Sequence, residues 1–96
     1  MPTPGASPVV VHAPESRRFE IRLGEALAVA EYVRGEGEIV LTRTFVPPEL
    51  RGRGLAERLV RAALEFARTE RLRVVPACSY VAVFVERHPD LVAPSG

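Results

Sequence analysis

The 96-residue chain contains no lysine, asparagine, glutamine or tryptophan, and has one cysteine and one methionine. With Cys78 alone, no intramolecular disulfide can form. With only His12 and His88 beside it, no ligand cluster has zinc spacing, so no structural metal is expected. The absence of lysine leaves the N-terminal amine as the only amine the chain could modify on itself. No apolar run approaches the roughly 20 residues of a membrane span. Met1 to Ala13 lacks the charged start and long apolar stretch of a signal peptide. These absences predict a soluble, cytoplasmic protein with no membrane partner. Arginine as the sole long cation fits GC-rich coding or heat adaptation equally well.

The remaining composition supports folding. Hydrophobic residues make up 47% of the chain and charged residues 26%, with a net charge of +1, which is too apolar and too nearly neutral for a disordered protein. The length accommodates one small domain and one modest core. Met1 to Pro8, rich in Pro, Gly, Ala and Ser, has no periodicity and is expected to be a flexible tail before a domain spanning 9–96. Charge is unevenly placed: residues 51–73 hold seven arginines against three glutamates, leaving +4 there and −3 elsewhere. Such a cluster attracts phosphate in any form. It lacks the interleaved aromatics on which single-strand binders stack bases, which speaks against nucleic acid.

Periodicity divides the chain in two. Val9 to Val11 is a candidate short strand. Arg18 to Leu23 alternates so that Phe19, Ile21 and Leu23 share a face, and Gly24-Glu25 marks a turn. In Ala26 to Arg34, Ala28, Ala30 and Tyr32 lie on one side and Leu27, Val29, Glu31 and Val33 on the other. Gly35 and Gly37 end that run. Glu38 to Val46 is rich in β-branched residues and stops at Pro47-Pro48. These runs predict an antiparallel meander. The period then changes, with Leu55, Leu59, Ala62, Ala63 and Phe66 on one helical face, widened by Ala56, Val60 and Ala67, to about Glu70. Glu57 with Arg61, and Arg61 with Glu65, stand at i, i+4 on its exposed side. A short strand at Leu72 to Val75 and a second helix from about Cys78 to His88, burying Val81, Phe84 and Val85, complete an α/β (α+β) fold with a parallel crossover.

The start of the long helix carries an anomaly. In Arg51-Gly52-Arg53-Gly54-Leu55-Ala56, cations sit where the helix dipole is already positive, which costs about 0.3–1 kcal/mol each. The arrangement makes sense if an anion completes it. Glycines at 52 and 54 let backbone N–H groups approach that anion closely. The other reading is a glycine turn with solvated arginines. There is no Gly-Lys-Ser/Thr and no GxGxxG, so neither a Walker loop nor a dinucleotide fingerprint is present.

Arg51-x-x-Gly54-x-Ala56 is similar to the Gln/Arg-x-x-Gly-x-Gly/Ala motif of the GNAT acyl-CoA-dependent N-acetyltransferases. With Val46-Pro47-Pro48-Glu49-Leu50 before it, and Pro76-Ala77-Cys78-Ser79-Tyr80 and Arg87-His88-Pro89 after it, the chain resembles the short, YjdJ-type branch of that family from about Val9 to Val92. The resemblance implies a compact GNAT-type fold that transfers an acetyl group from acetyl-CoA to an amine. It implies coenzyme A in a cleft between the third long strand and the final one, with its pyrophosphate on the backbone of Arg51, Gly52, Arg53, Gly54, Leu55 and Ala56. Residues Thr42 to Val46, with Thr44, Phe45 and Val46 nearest the motif, would present backbone groups to the pantetheine arm. The chain is too short for the elements that shape an acceptor pocket in longer relatives, so a non-catalytic coenzyme A thioester-binding module is the alternative.

Acetyl transfer needs a neutral amine, a stabilised oxyanion and a proton for the leaving thiolate. Cys78, at the start of the second helix, is a candidate acid or nucleophile, because a helix N-terminus favours thiolate. Its structural alternative is a small buried hydrophobe. Tyr80 is the competing proton donor by family analogy, or else an aromatic wall of the cofactor site. Where relatives of this branch show His-Thr, this chain has Arg43-Thr44, which removes an imidazole base. Glu31, Glu38 and Glu49 are the carboxylates considered in its place. His12 and His88 are given structural or exposed roles only.

Overall fold

Alternating side chains and tight turns carry the chain through four antiparallel strands before its helices begin. The computed structural model describes residues 9–92, and the tail expected at 1–8 lies outside the described residues. The strands are β1 (Val11–Ala13), β2 (Arg18–Leu23), β3 (Ala26–Gly35), β4 (Glu38–Phe45) and β5 (Arg73–Pro76), and the helices are α1 (Leu55–Thr69) and α2 (Ser79–Arg87). The sheet has the order β1-β2-β3-β4-β5. β4 and β5 run parallel, joined by α1, as the strand–helix–strand order predicts. The β2–β3 turn needs glycine, since Gly24 has φ +62°.

Beyond one-residue differences at the ends of β3 and β4, boundaries move from their expected places at β1, β5 and α2. β1 lies at Val11–Ala13 rather than Val9–Val11, because its partners are Arg18–Glu20 and nothing stands opposite Val9. β5 begins at Arg73 rather than Leu72. Leu72 N–H donates to the Ala67 carbonyl at 2.7 Å and closes the end of α1 instead. α2 begins at Ser79, leaving Cys78 as its N-cap residue.

One face of the sheet forms the core. Phe19, Ile21, Ala28, Ala30, Tyr32, Ile39 and Leu41 are buried against Leu55, Leu59, Val60, Ala63, Leu64 and Ala67 of α1, with Val81 and Phe84 of α2 in the same cluster. Leu64, absent from the predicted helical face, is buried, and Ala62 is only partly so. The expected Arg61–Glu65 pair does not form: Arg61 pairs with Glu57 at 2.8 Å and Glu65 with Arg68.

The periodicity also conceals a bulge in β4. Tyr32 pairs with Leu41 and Glu31 with Arg43, so Thr42 is an extra residue, and its hydroxyl donates to the Glu31 carbonyl at 3.2 Å. Strands alternate faces with period two, so the insertion reverses the phase. Ile39 and Leu41 face the core before it. After it Thr44, paired with Ala30, takes the core face, and Arg43 turns to the other. There Arg43 pairs with Glu31 at 3.6 Å and lies 4.9 Å over the Phe45 ring.

Candidate active site

The β4–β5 ladder ends at Leu41 and Pro76, while β4 continues to Phe45. Beyond that point the two strands diverge, and Cys78 stands in the fork. Its N–H donates to the Leu41 carbonyl at 2.9 Å. Its thiol lies 3.7 Å from the Thr44 hydroxyl, within hydrogen-bond reach for sulfur. Burial pushes this thiol's pKa up. Hydrogen bonds from the backbone of Val81 and Tyr80, at the start of α2, and from Thr44 outweigh that effect, and the net shift is downward.

The first turn of α1 shows how the Arg-Gly segment is used. Pro48–Leu50 forms a 3-10 turn, and Arg51 Nε donates to the Val46 carbonyl at 3.0 Å, tying the end of β4 to the loop. Gly52 has φ +82° and Gly54 φ +73°, conformations that L side chains adopt only at a cost. Gly54 is the N-cap of α1, and no side chain caps the helix. The N–H groups of Leu55, Ala56 and Glu57 therefore have neither an intrahelical partner nor a side-chain cap. An added Cβ at Gly52 or Gly54 would meet nothing within 4 Å, so both glycines border a void.

That void is a cleft of about 370 Å³ lined by Thr44, Phe45, Val46, Leu50, Arg51, Gly52, Gly54, Leu55, Ala56, Glu57 and Tyr80. It gathers the residues expected to hold the cofactor apart from Arg53, and of the two expected catalytic residues it takes in Tyr80 but not Cys78. Arg53 is exposed and does not line the cleft, and Cys78 borders it through Thr44. Tyr80 is 40% exposed and stacks on Phe84, which makes it a wall of the cleft rather than core. Burial raises its pKa, and the Glu57 carboxylate raises it further, so its hydroxyl keeps its proton at neutral pH.

The carboxylates considered as bases lie elsewhere. Glu31 pairs with Arg43 and Glu38 with Arg73, and neither these nor Glu49 lines the cleft. The carboxylate that does is Glu57. Its position in the first turn of α1 was the available signal, but i, i+4 spacing alone points only to its Arg61 partner. In the arginine-rich segment Arg61 pairs with Glu57, Arg68 with Glu65 and Arg73 with Glu38 of β4, with all three arginines exposed. His88 packs its ring 4.4 Å from Phe84, away from the fork. Among the described residues there is no group of His, Cys, Asp and Glu that could hold a metal, and no helix long and apolar enough to cross a membrane.

A strand pair parted by a bulge, with an uncapped, glycine-started helix beside the fork, defines a compact α/β domain of GNAT type. The chain belongs to the GCN5-related N-acetyl-transferase family, whose family model matches residues 18–93. Protein NATD1 of Bos taurus is 38% identical over 92 residues, covering 92% of this chain and 80% of that protein. Protein NATD1 of Xenopus tropicalis is 36% identical over 90 residues, covering 90% and 82%. The solution structure of a GCN5-like protein from Staphylococcus aureus superposes with a TM-score of 0.70 at 28% identity, covering 86% of this chain and 82% of that one.

Proposed function

We propose that this protein transfers an acetyl group from acetyl-CoA to an amine, with Cys78 as the acceptor of the first transfer. The observation that carries the reading is the cleft itself, which joins Thr44 at the β4–β5 fork to the glycine-started end of α1. The residues fit the cosubstrate. Unpaired N–H donors at the start of α1, with the helix dipole behind them, suit a pyrophosphate, and the space beside Gly52 and Gly54 is what a side chain would fill. The arm would then run toward Thr44, Phe45 and Val46.

In this reading the Cys78 thiolate attacks the thioester carbonyl carbon. The bond from that carbon to the coenzyme A sulfur breaks, and the departing thiolate takes a proton. Tyr80, which keeps its proton, is positioned to give it. The amine, neutral when it reacts, then attacks acetyl-Cys78. The cysteine leaves as thiolate, stabilised as before by the N–H groups of α2, and the proton lost by the amine returns to Tyr80 through solvent, restoring the phenol.

Native mass spectrometry with acetyl-CoA tests both parts. A bound cofactor mass is expected, followed by a 42 Da adduct that survives denaturation and is removed by hydroxylamine. No lysine is available to carry that adduct. Cofactor without adduct would reject the acyl-enzyme step and leave Cys78 as a proton donor. No cofactor binding would reject the whole reading.

A further inference from the structure

A second cavity, of about 560 Å³, opens between β1, β3 and the far half of α1. It is lined by His12, Pro14, Arg17, Tyr32, Arg34 and Phe66. Ten residues of helix separate Ala56, in the first cleft, from Phe66, which is roughly 15 Å along the axis, so the two sites are distinct. The polar groups are held in place. His12 Nε2 and the Tyr32 hydroxyl share a hydrogen bond of 2.6 Å, and the imidazole stacks on Phe19 at 4.2 Å with its edge toward Phe66. Arg34 lies 5.6 Å over the Phe66 ring and reaches Glu70 at 3.4 Å, a long contact between half-exposed ends. Arg17 has no ion-pair partner among the described residues. It occupies the left-handed region at φ +54°, in the turn that leads from β1 into β2.

Two guanidinium groups, a hydrogen-bonded imidazole–phenol pair and an aromatic wall thus converge on one cavity, and the nearby carboxylates are Glu15 and Glu70. The geometry points to a second ligand site, for a small molecule that carries an oxyanion on a flat apolar frame. Arg17 and Arg34 would bind the oxyanion by paired N–H donors, His12 and Tyr32 would complete its hydrogen bonds, and Phe66 with Pro14 would cover the frame. Burial lowers the pKa of His12 and keeps its ring neutral at pH 7, so it can accept as well as donate. The site is independent of coenzyme A and of Cys78.

Amide NMR spectra of the full chain, titrated separately with benzoate, acetate and inorganic phosphate, provide the test. Saturable shifts confined to His12, Arg17, Tyr32, Arg34 and Phe66 are expected, with benzoate binding more tightly than acetate because of the aromatic wall. Benzoate ahead of phosphate identifies a carboxylate ligand, and phosphate ahead of benzoate a phosphoryl ligand. Both Arg17→Gln and Arg34→Gln should weaken binding roughly tenfold. Arg17→Gln should leave the coenzyme A shifts at 52–56 as they were, and Gly54→Val should leave the benzoate shifts as they were. Shifts that never saturate, that spread over arginines across the surface, or that persist when both arginines are replaced would overturn the site. The spectra report folding of each variant at the same time.

Discussion

Replacing Gly54 separates what the helix start does for the fold from what it does for a ligand. At φ +73° an L residue pays the left-handed penalty of about 1–2 kcal/mol, while the absence of any atom within 4 Å of an added Cβ rules out a clash. Gly54→Ala should therefore lower the melting temperature by about 4–16 °C in a domain this small. Gly54→Asn should lower it less, because asparagine tolerates this region, and Gly54→Val more. Affinity for coenzyme A, measured by calorimetry, should follow a different order. It depends on how much side chain enters the cleft, so alanine should bind best of the three, and asparagine and valine worst. Gly24→Ala is the control. It has φ +62° and equally open surroundings but lies at the β2–β3 turn, so it should lose similar stability and no affinity. If affinity tracked melting temperature across all four variants, the loss would be one of folding. Undiminished binding by Gly54→Val would refute the proposed anion cradle.

Three further outcomes follow from the geometry. Iodoacetamide should alkylate Cys78 with a pH midpoint below that of an unperturbed thiol, and Thr44→Val should raise that midpoint while Thr44→Ser restores it; a wild-type midpoint at or above that of a free cysteine in the same buffer would remove the basis for a thiolate. His12 has its pKa lowered in the fold from 6.5, so the unfolded chain binds the proton more readily. The stability held by the neutral ring is complete above pH 6.5 and is lost as pH falls below it, and His12→Gln should flatten that part of a melting-temperature profile. Leu59→Ala, at a fully buried site between α1 and the sheet, should cost about 2–5 kcal/mol in chemical denaturation, and a change under 1 kcal/mol would contradict the packing described.

The strand and helix order was legible because Phe19-x-Ile21 and Leu55-x-x-x-Leu59 have unmistakably different periods. The family was legible because Arg51, Gly54 and Ala56 hold a fixed spacing. The β1 boundary was not, since apolar content at Val9 and Val10 says nothing about whether a partner strand reaches them. Arg43 was equally opaque. Its removal from the fork depends on one extra residue upstream, and threonine at 42 has no composition that marks a bulge. Glu57 was visible as a helix-pair residue, yet its place beside Tyr80 arises from how α2 packs on α1. The His12–Tyr32–Phe66 group comes from residues 20 and 34 positions apart, which no local pattern brings together.

Thr42 works as a parity bit for the strand. Thr42 touches nothing in the cleft, yet pairing it into a regular ladder instead of bulging it out would exchange the faces of everything from Arg43 to Val46 or of everything from Glu38 to Leu41. In the first case a guanidinium would point at Cys78 in place of a hydroxyl, and in the second Ile39 and Leu41 would leave the core. The same arithmetic governs comparison with relatives. An alignment that sets a one-residue gap on the wrong side of position 42 matches Arg43 to a residue that faces the fork, and assigns a chemistry to a side chain on the opposite surface of the protein.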